Sequence, residues 1–70
     1  DAASLQKLAV LTSAARAKWV AESLRLAHSG SPVTPDQVAR LTSARTAYDE
    51  LAEAYEALRR IVERGYVALK

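Results

Sequence analysis

Cysteine is absent from this chain and histidine occurs once, so disulfide stapling, thiol chemistry and a Cys/His metal centre are all excluded. Glycine and proline occur twice each. With so few breaks there is no Gly-rich phosphate cradle, and the glycines at 30 and 65 read as helix ends. No apolar run approaches the roughly 18 residues that a membrane-spanning helix needs. Charge of one sign is also lacking: the formal net charge is +2. Residues 1–34 set Lys7, Arg16, Lys18 and Arg25 against Asp1 and Glu22, whereas cations and anions balance in residues 35–70. Arg59, Arg60 and Arg64 are interleaved with Glu56 and Glu63, which argues against a nucleic-acid surface.

What remains is a chain of 70 residues, half of them hydrophobic. That is one ordered domain, short of the size at which a single core is self-sufficient. The usual supplements are disulfides, a structural metal or association, and only association is open to this composition. The start Asp1-Ala2-Ala3-Ser4 has no methionine and no signal-peptide pattern, so it reads as a processed or excised end. Lack of cysteine fits a reducing cytoplasm.

The chain is punctuated at His28-Ser29-Gly30-Ser31-Pro32-Val33-Thr34-Pro35. Gly30 can take the left-handed conformation that ends a helix. Thr34 is then an N-cap, Pro35 suits the first helical position, Gln37 completes a capping box, and Val33 with Val38 has the spacing of a hydrophobic staple. The expected organisation is therefore a helix over about 4–29, a turn over 30–34, a helix over about 35–64 and a short tail over 65–70. Gly65 is the expected C-cap glycine, with Tyr66 folding back on Ile61.

In the second helix, Leu41, Ala44, Tyr48, Leu51, Tyr55, Leu58 and Val62 follow alternating steps of three and four, the spacing of one coiled-coil seam. The first helix carries two apolar stripes. One is Leu5, Leu8, Ala15, Trp19 and Leu26; the other, nearly opposite, is Val10, Ala17, Val20, Ala21 and Leu24. A short connection makes the helices antiparallel neighbours. The seams then register Leu26 with Leu41, Trp19 with Tyr48, Thr12 with Tyr55 and Leu5 with Val62. The fold expected is an all-α, coiled-coil-like antiparallel two-helix hairpin that completes a three- or four-helix bundle with a partner chain. The surface expected to bind that partner is Val10, Ala17, Val20, Ala21 and Leu24, with Ala47, Ala54, Ile61 and Tyr66 beside the second seam.

No arrangement of residues suggests catalysis, a cofactor, a metal or a small-molecule ligand. His28 stands alone in a last helical turn, where a cation meets the helix dipole favourably. Asp49, Glu50, Glu53 and Glu56 have the spacing of a solvated helix face beside arginines. The serines lack a histidine to activate them. Trp19, Tyr48 and Tyr55 sit at helical spacing in the seam, which makes them core aromatics and not base-stacking platforms. The thin, mixed polar strip around Leu11 (Lys7, Lys18, Glu22, Arg25) does not suit a membrane-surface helix.

At Ser31-Pro32-Val33-Thr34-Pro35-Asp36-Gln37-Val38 the chain resembles the small helical-hairpin chaperones of bacterial type III secretion. The resemblance rests on the Pro35-x-Gln37 helix start, the Ala/Glu-rich helix after it and the ending Tyr66-Val67-Ala68-Leu69-Lys70. It implies a cytoplasmic co-chaperone that braces a second chaperone holding the needle subunit unpolymerised. The needle subunit is itself a hairpin with a Pro-x-x-Pro turn, here Pro32 to Pro35, and a later tyrosine, here Tyr48. Its polymer-forming tail is not recognisable in residues 56–70, and that likeness ranks second. The other function class open to the sequence is a homodimeric small inhibitor or anti-activator that blocks a target protein. Either way the partner expected is a helical protein or a second copy of the chain.

Overall fold

The computed structural model describes residues 2–65 and contains two helices in that span, α1 (Ala2–His28) and α2 (Pro35–Glu63). They pack on each other as an elongated hairpin of 51 × 15 × 12 Å. The helix α1 starts earlier than position 4 because Ala2 and Ala3 are the best of helix formers and carry it through Ser4. It stops at His28 because Ser29 takes over the cap. The Ser29 amide donates to the Leu26 carbonyl at 3.3 Å and its hydroxyl donates to the same carbonyl at 3.1 Å. The Ser31 amide in turn donates to Ser29 Oγ at 3.4 Å, and Gly30 between them has φ 70°.

The start of α2 is the most fully determined point in the chain. Thr34 has extended backbone (φ −94°, ψ 159°), and its hydroxyl accepts from the Gln37 amide at 3.2 Å. Gln37 Oε1 accepts from the Thr34 amide at 2.9 Å, which closes the capping box, and Pro35 occupies the first turn. Val33 and Val38, the staple pair, are each half exposed, at 54% and 49%. At the other end the Gly65 amide donates to the Val62 carbonyl at 3.1 Å with φ 78°, one of the two bonds of a Schellman ending. Tyr66, its expected return onto Ile61 and the rest of the tail lie outside the described residues.

The seam forms as the heptad spacing requires. Trp19 and Tyr48 stack with ring centroids 5.8 Å apart and planes at 20°, an offset arrangement favourable for aromatic pairs. Thr12 Oγ1 donates to the Leu8 carbonyl at 2.8 Å and lies 3.4 Å from the Leu51 carbonyl across the interface, so α2's backbone comes close to α1 there. Leu5, Leu8, Ala15, Trp19 and Leu26 of α1 are partly buried, as are Leu41, Tyr48, Leu51, Tyr55 and Leu58 of α2. Among the described residues only Ala44 and Val62 are fully buried, each at 5%. Two cylinders side by side enclose little interior, so the other seam residues keep one flank in water. All four ion pairs among the described residues lie within a helix, so α1 is joined to α2 by apolar contact, the ring stack and the Thr12–Leu51 hydrogen bond.

The turn supplies a direct test. A Cβ at Gly30 would meet nothing within 4 Å, so the cost of replacing it comes from its positive φ alone. Gly30→Ala is expected to lower stability by about 1–2 kcal/mol, with Gly30→Asn costing less. Thr34→Ala should cost about 1 kcal/mol through the lost cap. Urea unfolding followed by helical circular dichroism measures all three.

Candidate protein interface

Helical spacing places Val10, Ala17, Val20, Ala21 and Leu24 on the side of α1 that faces away from α2. All five are exposed: Val10 is 64%, Val20 46% and Leu24 54% accessible. Fully burying a Val or Leu side chain is worth about 1.5–3 kcal/mol, so each of these three half-open residues leaves on the order of 1 kcal/mol unrealised. Ser13, Arg16, Ala17, Val20, Ala21 and Leu24 line one shallow depression, and Gln6, Lys7, Val10 and Leu11 line another toward the start of the helix. The face is apolar along its centre, with Lys7 and Arg16 on its borders.

The expected partner-binding residues do not form one patch. Ala47, Ala54 and Ile61 recur every seven residues along one edge of α2, with Ala47 and Ala54 exposed and Ile61 at 37%. Ala47 lines a groove of about 320 Å³ between the helices, whose floor is Ala15 and Ala44 and whose rim is Lys18, Glu22, Arg40 and Ser43. These alanines leave a shallow channel beside the seam, distinct from the outer face of α1. Tyr66 is outside the described residues. Leu11, in the middle of the polar strip, is 56% exposed and lines the same depression as Val10, so it extends the open apolar surface of α1.

Electrostatics on the hairpin are local. Arg59 sits between Glu56 at 2.7 Å and Glu63 at 2.9 Å, one helical turn to either side. The Arg59 guanidinium holds the Glu56 carboxyl below the ordinary glutamate range, chiefly by its hydrogen bond, and Glu56 holds Arg59 above its ordinary value. Arg25 pairs with Glu22 at 3.4 Å, and Arg45 with Asp49 at 3.9 Å. Among the described residues no group of three or more His, Cys, Asp or Glu side chains is placed to hold a metal ion, and no helix is long and apolar enough to cross a membrane. No protein-family model matches this chain, and comparison with curated proteins and with solved structures finds no significant match.

The Arg59 cluster carries a pH prediction. A carboxyl whose folded pKa is depressed adds stability that is complete above its unfolded value and is lost as pH falls through the folded one. The melting temperature should therefore fall on acidification below the ordinary glutamate range. Glu56→Gln should flatten part of that fall while changing stability near neutrality by less than Gly30→Ala does. A series of thermal melts across the acid range reads both.

Proposed function

We propose that this chain is a non-enzymatic protein-interaction module whose outer α1 face docks on a helical partner protein. The observation that carries the reading is the exposure of Val10, Val20 and Leu24 on one face of a helix whose opposite face is already packed. Contiguous apolar surface of this kind commonly marks protein interfaces. Alanines at 17 and 21 let a second helix come close, at the shorter end of the 8–10 Å range of helix packing distances. A third or fourth helix laid there would complete a bundle. With the turn at Ser31–Val38 and its resemblance to the needle-subunit chaperones of type III secretion, the role proposed is a small co-chaperone or stabilising subunit acting in the cytoplasm.

A second reading uses the same face differently. In a homodimeric inhibitor or anti-activator, self-association would cover α1 and leave the hairpin tips free for a target. It is favoured by the mixture of large (Val10, Val20, Leu24) and small (Ala17, Ala21) side chains on the face, which lets the face pack against a copy of itself. Both readings make α1 the interface and assign no ligand, cofactor or nucleic acid to the chain.

Leu24→Asp tests what the two share. Leu24 points away from the seam, so helical circular dichroism should be unchanged, while association with a helical partner or a second copy should drop by about a hundredfold or more, because a charge would be buried unpaired. Co-expression with a candidate needle-subunit chaperone should raise the soluble yield of the parent chain and not of the variant. Association that survives the substitution would mean that the outer face of α1 is not the interface.

A further inference from the structure

The outer face of α1 is a second heptad seam, with steps of three and four running through Val10, Ser13, Ala17, Val20, Leu24 and Ala27, all exposed. At about 103° per residue it lies roughly 150° around the helix from the seam that binds α2. A helix docked on it therefore does not collide with α2. The order of sizes along this seam is large, small, small, large, large, small.

We infer that the occupant of this seam in the free protein is a second copy of the same chain, with the two α1 helices antiparallel about a two-fold axis between residues 18 and 19. This rests on the reading of the outer α1 face as a docking surface. In antiparallel packing, residues from the two edges of a seam meet in layers. About that axis Val10 faces the second copy's Ala27, Leu24 its Ser13, and Val20 its Ala17, and the same three pairings repeat on the other side. Every layer joins one large side chain to one small one, so the helix axes keep a constant separation. A parallel pairing would set each residue against itself, alternating crowded Leu24 and Val20 layers with empty Ser13 and Ala17 layers.

Charge fits the same occupant. The two Arg16 side chains border the same edge of the pair, and Lys7 borders the other near the second copy's His28. No carboxylate lies on these borders of the seam, so added salt should tighten the pairing; an acidic partner helix would respond in the opposite sense.

Exchanging the sizes within one layer tests the register. Ala17→Val overfills the layer and Val20→Ala empties it, and each occurs twice per dimer. Sedimentation equilibrium should show each single variant weakened by about tenfold or more, while the double variant Ala17→Val/Val20→Ala regains parental affinity because the two positions face each other. A parental dimer whose double variant is no better than the singles overturns the register. A folded parental monomer overturns the second copy as occupant. If that monomer binds a hydrophobic dye that Leu24→Asp displaces, the docking-face reading stands on its own; if dye binding ignores Leu24→Asp, that reading falls too.

Discussion

A pair of helices can cover only one side of each member, and this limit governs the whole molecule. The helix α2 meets it with a single apolar seam, flanked by Ala47, Ala54 and Ile61 on one edge and with Glu56, Arg59 and Glu63 paired elsewhere on its surface. The helix α1 does not meet it: Leu8 and Trp19 are turned to α2 while Val10, Val20 and Leu24 are left in water. Even the covered seam is thin, since only Ala44 and Val62 are buried among the described residues. A chain without cysteine has no covalent means of making up that deficit. The surplus apolar face and the shortage of core are one fact seen from two sides, and packing another helix on α1 relieves both.

Local chemistry decides that the hairpin forms, while tertiary contact decides how far it is stable. The capping box at Thr34 and Gln37 and the left-handed Gly30 stop one helix and start the next within six residues. These bonds are short-range, so they direct the chain back on itself at little loop-closure cost. The Trp19–Tyr48 stack and the approach of Thr12 to the Leu51 carbonyl then fix how the helices slide along each other. Ion pairs contribute little to that choice, because each one among the described residues joins neighbours on the same helix.

The same division explains what could be read from the sequence. Helix count, the turn, the N-cap and the pairing of Trp19 with Tyr48 were legible because each depends on residues close in sequence or on a period that repeats. Thr12 shows the limit: simple register sets it opposite Tyr55 but does not foretell that its hydroxyl reaches the Leu51 carbonyl one turn along, because helices in contact interleave. Helix ends shifted by one or two positions where Ser29, not Gly30, supplied the cap and where Ala2 and Ala3 prolonged the first turn. The exposure of Leu11 is a finding of the structure alone, because the long side chains of Lys7, Lys18 and Arg25 beside it do not show from sequence whether they cover it.

For the interface, the sequence gives position and the structure gives separation. Spacing puts Val10 and Leu24 on the second stripe of α1 and Ala47, Ala54 and Ile61 beside the seam of α2, without saying how far apart the two lie. In the folded hairpin the α1 residues form an outer face, whereas Ala47 lines a groove beside the seam. The two surfaces differ in what they can hold. The groove is shallow, floored by alanines and rimmed by Lys18, Glu22 and Arg40, so a helix lying in it would gain little apolar area and would have to desolvate charges. The outer face offers two valines and a leucine at helical spacing, separated by small residues that admit a partner's side chains. In the proposed interaction the outer face is therefore the primary contact, and the groove is an edge that a bundle would close.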